Sequence, residues 1–277
     1  MRRGLRPPRT RLKGGLALGP VAGDELAHPT LGHPISAGDL SLTTTLQHNR
    51  SDHQARFAHR RASAHQSGQK LFTLQYGDDT EAHIEEFTPD YVKVLVRMNP
   101  ADSDDDTARQ LAGLVALSKL LTERGTAFLY ELLVPATDEQ LQRAGGQQAY
   151  DRDVRPELVA EVIAINQQAG VEPTLWKIKG LETAAAAHDL VAAANAGGRT
   201  ADCIVLGRDA PQEVLDHWLA VAAPVPSFVG FAIGHLIWED ALTRHRADAD
   251  DARLVETVRD NYLQFARGYL ESAQRGR

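Results

Sequence analysis

The stretch "TLWKIKG", residues 174–180, reads as a short buried strand that carries two lysines. Lys177 and Lys179 are two residues apart, so on a strand both side chains project to the same face. Burying a charged group costs free energy unless a partner or a chemical role offsets it. We therefore expect a functional site on this face of the strand.

Two further strand candidates repeat the pattern. The stretch "DYVKVLVRMNP" (90–100) places Lys93 and Arg97 on one face and valines on the other. In "AFLYELLVP" (127–135), Glu131 lies between two leucines on one face. Three successive strands thus carry ionisable groups on one side. The alternative interpretation is that the lysines reach solvent from an exposed sheet edge.

Strand and helix candidates alternate along the chain from residue 71 onward. Strand candidates cover 71–77, 90–100, 127–135, 174–180, 202–207 and 227–234, and helix candidates cover 107–125, 155–170, 182–196, 211–223 and 251–272. This alternation, with nearly continuous apolar strands, predicts an α/β fold with a parallel sheet. A doubly wound sheet is an alternative, but no glycine-rich dinucleotide turn follows the first strand. Polar residues at the strand ends favour a TIM (β/α)8-type barrel whose charged face lines the lumen.

Charge divides the chain into two parts. Residues 1–70 carry eleven Lys and Arg against four Asp and Glu, although the whole chain has a net charge of −7. Residues 1–62 are polar, rich in proline and glycine, and show no sustained hydrophobic period, which is typical of disorder. We predict a basic, disordered leader over 1–62 and a barrel domain over 63–277. A nucleic-acid-binding arm and a targeting peptide are the alternatives for the leader, and nucleic acid ranks behind disorder.

Composition excludes several classes of protein. Cys203 is the single cysteine, so the chain has no disulfide framework and no cysteine-based metal cluster. No apolar run approaches the roughly 20 residues that a membrane helix needs. We therefore expect a protein of a reducing, cytoplasmic compartment that has no membrane partner and no metal site.

Lysines inside such a barrel suggest a specific reaction. A lysine amine that is partly desolvated and close to another cation becomes nucleophilic, and its natural partner is a ketone or aldehyde. Glu131 would then transfer protons during formation of the Schiff base or cleavage of a carbon–carbon bond. On this hypothesis one lysine of the 174–180 stretch attacks, and the other tunes it or holds an anion.

The last two strand candidates end in glycine followed by a basic residue. Gly207 and Arg208 follow one strand, and Gly234 and His235 follow the other. Backbone N–H groups at a glycine turn before a helix bind anions, and barrels commonly bind phosphate at this position. The pattern predicts an anionic substrate.

Several segments together resemble a known family. They are "YGDDTEAHIEEFTPDYVKVLVRMNP", "YELLVPATDEQL", "YDRDVRPEL", "AGVEPTLWKIKGLE", "CIVLGRDAP", "VLDHWL" and "GFAIGHLIWED". In this order they resemble the aldolase-like domain of inositol catabolism. That domain follows a sugar kinase in the bifunctional 5-dehydro-2-deoxygluconokinase and is similar to the class I tagatose-bisphosphate aldolases. The likeness covers about residues 63–277.

The resemblance implies a TIM barrel that cleaves a ketose phosphate such as 2-deoxy-5-keto-gluconate 6-phosphate, with no cofactor. It implies Lys177 as the Schiff-base lysine, with Glu131 and Lys93 at the charged lumen positions. It also implies phosphate binding by residues at the strand ends. We expect substrate or phosphate contacts from Arg97, Lys179, Gly207, Arg208, Gly234 and His235.

The chain also departs from the pattern of that family. Lys179 stands where the family has an acidic residue, Asp209 replaces a glycine, and His235 stands where the family usually has arginine. The first two of the eight barrel strands should precede residue 63, and we find no match to them there, so we expect a barrel that lacks them. A homo-oligomer or a partner chain could complete it. The alternative function is a catalytically degenerate barrel that binds a sugar phosphate or has no activity.

Overall fold

The computed structural model of the chain describes residues 44–45, 47–48, 55–56, 61–64, 70–207, 210–248 and 250–275. Its strands are β1 (Thr44–Thr45), β2 (Gln47–His48), β3 (Ala55–Arg56), β4 (Arg61–Ser63), β5 (Tyr91–Arg97), β6 (Ala127–Leu133), β7 (Leu175–Lys179), β8 (Asp202–Leu206) and β9 (Phe228–Ile233). Its α-helices are α1 (Thr80–Phe87), α2 (Asp104–Arg124), α3 (Asp138–Ala144), α4 (Gln147–Ala149), α5 (Arg155–Ala169), α6 (Ala184–Ala194), α7 (Gln212–Ala222), α8 (His235–Asp248) and α9 (Asp251–Arg275). A π-helical turn, Tyr150–Val154, joins α4 to α5.

Seven strands form one sheet in the order β1-β9-β8-β7-β6-β5-β4. The strands from β4 to β9 run parallel, whereas β1 pairs antiparallel with β9. Because each strand from β4 to β9 lies beside the next one in sequence, every crossover moves in the same direction across the sheet. This is the order of a (β/α) barrel, since a doubly wound sheet reverses direction. Within the described ranges no pairing joins the edge strands β1 and β4, so the barrel is partial and open.

The two faces of the sheet differ in what covers them. One face packs with buried residues of α2, α5, α6, α7 and α9 in the main hydrophobic core. Val94, Tyr130 and Trp176 lie on this face and are fully buried. On the opposite face, the described residues form a smaller apolar cluster that is drawn from the strands and includes Leu129, Leu175 and Ile204. The predicted division into an apolar helix-facing side and a charged lumen side is therefore confirmed for β5 to β7.

Helix ends follow the local sequence. Ser103 caps α2 by accepting a hydrogen bond from the backbone N–H of Asp106, and acidic residues occupy the first turn, where the helix dipole favours them. The same helix ends at Gly125, which has a φ of 67°. Thr137 begins α3 with a reciprocal capping box that involves Gln140. These caps fix where the loops after β5 and β6 end, and those loops surround the site described below.

The strand predicted at 71–77 is wrong. The position beside β5 is taken by β4, and the predicted segment has only an isolated bridge at Leu74 before a turn. Phe72 packs against Gly113 of α2, and its backbone N–H donates to the Gln110 side chain at 2.8 Å. Phe72 is thus buried against a helix, so its apolar character reflects packing on α2 and does not indicate a strand.

Most of the predicted leader, residues 1–62, lies outside the described residues, and its disorder stays a prediction. The short strands β1, β2 and β3 and the first two residues of β4 fall within it. Among the helices that the structure describes, none is long and apolar enough to cross a membrane.

Candidate active site

Three charged side chains from neighbouring strands meet on the lumen face of the sheet. The register places Glu131 of β6 directly opposite Lys177 of β7. The Oε2 atom of Glu131 lies 3.1 Å from Nζ of Lys177 and 3.0 Å from Nζ of Lys93 on β5. Glu131 and Lys177 are each only 5% exposed. The structure thus brings together the three residues predicted to be catalytic.

Opposing effects set the ionisation of Glu131. Burial alone would raise the pKa of this carboxyl group, because the charged form loses its hydration. The positive charges of Lys177 and Lys93 and the hydrogen bonds from both outweigh burial and lower the pKa to about 2. Glu131 is therefore ionised at neutral pH.

A cleft of about 430 Å³ opens at the carboxyl ends of β5, β6 and β7. Its apolar walls come from the end of β6 and the loop that follows it. Its polar lining includes Arg97, Gln147, Asp151, Arg155 and Lys179. Active sites of (β/α) barrels lie at this end of the strands, so the cleft is where a substrate would approach the lumen.

Two buried contacts shape the rim of this cleft. The Asn99 side chain, just after β5, donates to the backbone oxygen of Pro135 at 2.8 Å and so joins the loops that follow β5 and β6. The hydroxyl of Tyr150 donates to the backbone oxygen of Val134 at 3.0 Å. This second contact holds the π-helical turn, and with it Asp151, against the end of β6. Turns of this type occur frequently at functional sites.

Asp151 connects three residues that line the cleft. One of its oxygens accepts a hydrogen bond from Lys179 at 2.8 Å and from Gln147 at 3.1 Å, and the other accepts from Arg155 at 2.9 Å. The buried Arg155 also donates to the backbone oxygens of Lys179 and Gly180. Burial alone would raise the pKa of Asp151, but the hydrogen bonds and charges of these partners lower it. The cleft therefore contains a fixed carboxylate and fixed cations.

The other predicted residues that the structure describes, Gly207, Gly234 and His235, lie elsewhere. Gly207 follows β8, where a Cβ atom would come within 2.6 Å of Ile233, so packing alone accounts for a glycine. Gly234 precedes α8, and the exposed His235 ring lies edge-on to Trp238 at 5.0 Å. Arg208 and Asp209 lie outside the described residues. Gly207, Gly234 and His235 are not among the described residues that line the cleft, and their role in phosphate binding stays a prediction.

Sequence reasoning missed Asp151 and Arg155. Both lie in "YDRDVRPEL", and they are four residues apart, a spacing that places two helical side chains on one face. That spacing was the available signal, but nothing in the sequence linked it to Lys179. Within the ranges that the structure covers, no group of three or more His, Cys, Asp or Glu side chains could hold a metal ion.

Two solved structures are similar to part of the chain. Cgl0159 from Corynebacterium glutamicum (Brevibacterium flavum) matches with a TM-score of 0.47 and 16% identity, over 72% of this chain and 61% of that one. The YdjI aldolase from Escherichia coli K12 matches with a TM-score of 0.35 and 9% identity, over 66% of this chain and 58% of that one. The matches span about three fifths of the length of each of these two proteins.

No curated protein matches the sequence. A family model does match, and it covers residues 60–273, which is most of the chain and includes every strand from β5 to β9. The chain therefore belongs to the family described as "Uncharacterized protein conserved in bacteria (DUF2090)".

Proposed function

We propose that this chain is a class I aldolase-type lyase in which Lys177 forms a Schiff base with a phosphorylated ketose. The observation that carries the proposal is the sharing of Glu131 Oε2 between the ammonium groups of Lys177 and Lys93. This arrangement supports the proposal because two amines lie within hydrogen-bonding distance of one carboxylate on the lumen face of a partial barrel. These are the parts that imine chemistry needs.

The reaction begins when Lys177 gives up a proton and its amine nitrogen attacks the ketone carbon. The new carbon–nitrogen bond gives a carbinolamine, and loss of water from it gives an iminium ion. Removing the proton from the hydroxyl group on the carbon beta to the iminium carbon then breaks the adjacent carbon–carbon bond. The electron pair moves to the iminium nitrogen and leaves an enamine while an aldehyde departs. Protonation of the enamine carbon regenerates an iminium ion, and addition of water then breaks the carbon–nitrogen bond, which releases the second product and returns Lys177 to its amine.

Glu131 is the proton carrier in this scheme. Because its pKa is about 2, it is ionised when the substrate arrives, and its first role is to accept a proton. Once Lys177 has become part of the neutral carbinolamine, Glu131 loses one of the charges that keep it ionised, which makes it a better proton donor for dehydration. Lys93 remains beside the carboxylate, and its positive charge limits the rise in the pKa of Glu131.

The proposed substrate is a ketose phosphate such as 2-deoxy-5-keto-gluconate 6-phosphate, in carbohydrate catabolism and on the route that degrades inositol. The support for this finer assignment is the resemblance of the ordered sequence segments from about residue 63 onward. Cationic side chains at the strand ends are compatible with a phosphorylated compound.

A catalytically inactive barrel is the second candidate, and one observation favours it. Lys177 is ion-paired with Glu131 and is almost fully buried, so its amine must leave this pair before it can attack a carbonyl. A barrel that keeps the pair closed would bind a sugar phosphate without turning it over. The two candidates differ in whether Lys177 ever forms an imine.

Borohydride trapping distinguishes them. The full chain is incubated with dihydroxyacetone phosphate, reduced with borohydride and digested, and the modified lysine is located by mass spectrometry. We expect an adduct on Lys177 that is lost in Lys177→Met. The matched control is Lys119→Met on the exposed surface of α2, which should retain the adduct because the Lys119 side chain is 76% exposed and far from β7 in sequence.

Other outcomes contradict the assignment. An adduct on Lys93 or Lys179 in place of Lys177 would preserve the chemistry but refute the proposed nucleophile. Absence of any adduct, in a protein that unfolds cooperatively on heating, would refute the enzyme and support the inactive barrel.

A further inference from the structure

The cleft and the Lys177 cluster are linked by strand β7, because Lys179 lines the cleft and Lys177 belongs to the cluster. Lys179 is on the same face of β7 as Lys177 and two residues closer to its carboxyl end. Two residues of a parallel strand span roughly 6.6 Å. The cleft is therefore close, along β7, to the site of the proposed chemistry.

Charge in the cleft is opposite in sign to that of the whole chain. The charged residues that line it are three cations, Arg97, Arg155 and Lys179, and one carboxylate, Asp151. The chain as a whole carries a net charge of −7. Concave sites lined by one sign of charge concentrate ligands of the opposite sign. An anion is thus the chemical class that this cleft attracts.

Lys179 has the donors that an anion needs. An ammonium group has three N–H donors, and among the residues that the structure describes Asp151 is the one hydrogen-bond acceptor of Lys179. The Lys179 side chain is 28% exposed, and its Nζ lies 5.9 Å from the centre of the Trp218 ring. Arg155 and Gln147 also donate to Asp151, so the carboxylate that accepts from Lys179 is held in place, and the position of the Lys179 ammonium is fixed with it.

We propose that this cleft is an anion-binding site in which Lys179 and Arg97 contact the carboxylate or phosphate group of the substrate. This inference deepens the proposed function and rests on it for the identity of the substrate. It adds that the anionic group of the substrate lies at the carboxyl ends of β5 to β7. A ketone that carries a carboxylate or phosphate group is the substrate class.

Isothermal titration calorimetry of the full chain tests the site with inorganic phosphate and with acetate at low ionic strength, where screening is weak. We expect saturable binding to the wild type that weakens at least tenfold in Lys179→Gln and in Arg97→Gln. Lys179→Arg keeps the charge and should retain binding. Lys119→Gln, an exposed lysine on α2, should bind as the wild type does.

The relative affinities for phosphate and acetate indicate which end of the substrate the site binds. Tighter binding of phosphate supports a site for the phosphate end of the substrate, and tighter binding of acetate supports a site for a carboxylate end. If neither anion binds saturably, or if both Gln variants bind as tightly as the wild type, the proposal is refuted. Two separate cleft variants keep the test valid if one of them fails to fold.

The test also separates this inference from the proposed function. Lys177→Met should abolish trapping and retain anion binding, because Lys177 is not among the described residues that line the cleft. Saturable anion binding without any imine in the wild type would retain the anion site and refute the aldolase. An adduct on Lys177 that forms in Lys179→Gln at the same dihydroxyacetone phosphate concentration as in the wild type would retain the aldolase and refute the site.

Discussion

Glu131 and Lys177 lie opposite each other in the register of β6 and β7, and Oε2 of the carboxylate is 3.1 Å from Nζ of the amine. The same oxygen is 3.0 Å from Nζ of Lys93. One buried carboxylate thus pairs with two ammonium groups. The three residues are not equivalent, because removal of either lysine leaves one ion pair, whereas removal of the carboxylate leaves none of these pairs.

This asymmetry predicts the order of stability losses. Glu131→Gln leaves the buried Lys177 and the partly buried Lys93 without their shared carboxylate and should lower the free energy of unfolding by about 3–5 kcal/mol. Lys177→Met should lower it less, because Glu131 keeps its pair with Lys93. Urea unfolding measures both values. A loss in Lys177→Met equal to or larger than that in Glu131→Gln would show that the carboxylate is not the common partner.

The lowered pKa of Glu131 predicts a dependence of stability on pH. Its pKa is about 2 in the folded protein against 4.5 for the unperturbed group, so the native state favours the ionised form. That contribution is fully present above about pH 4.5 and is lost as the pH falls toward about 2. We expect the difference in unfolding free energy between the wild type and Glu131→Gln to be constant at neutral pH and to shrink on acidification. A difference that grows as the pH falls would mean that the pKa is raised.

Sequence alone predicted the strands β5 to β9 and, for β5, β6 and β7, the face that carries charge. It succeeded there because Val92, Val94 and Val96 lie two residues apart. A shift of one residue would turn all three away from the face that the helices cover, so the pattern determines which face is buried. It did not place Asp151, because a π-helical turn and a tertiary contact bring that residue to Lys179. Local pattern determines which face a residue occupies, whereas partners from distant loops depend on how the loops fold back over the sheet.

Gly180 lies so close to the Trp218 ring that a side chain at this position would clash with it. A Cβ atom at this buried position would lie 2.0 Å from the Trp218 ring, so Gly180→Ala must displace the tryptophan and should cost about 1–3 kcal/mol. The matched control is Gly268→Ala, since Gly268 is exposed on α9 and an added Cβ would contact nothing within 4 Å. That control should gain about 0.5–1 kcal/mol from helix propensity. Thermal and urea unfolding compare the two.

A double-mutant cycle checks the cause of the Gly180 effect. In a Trp218→Leu background, Gly180→Ala should cost less, because the ring that it would displace is absent. Additive losses for the two substitutions would indicate that Trp218 is not the source of the strain.

Two fully buried tyrosines provide a test of how the cleft is held. The hydroxyl of Tyr150 bonds to the backbone of Val134 beside the cleft, and the hydroxyl of Tyr130 bonds to Asn166 on the helix side of the sheet. Each Tyr→Phe change leaves a buried acceptor without its donor, so both should lose about 1–3 kcal/mol of stability.

The two variants should differ in ligand binding. Only Tyr150→Phe loosens the turn that carries Asp151, so it alone should weaken phosphate or acetate binding in calorimetry, by several-fold. Tyr130→Phe should bind these anions as the wild type does, because its lost bond lies on the other face of the sheet. Equal weakening in both variants would mean that anion affinity follows overall stability, and that the Tyr150 contact has no specific part in holding the cleft.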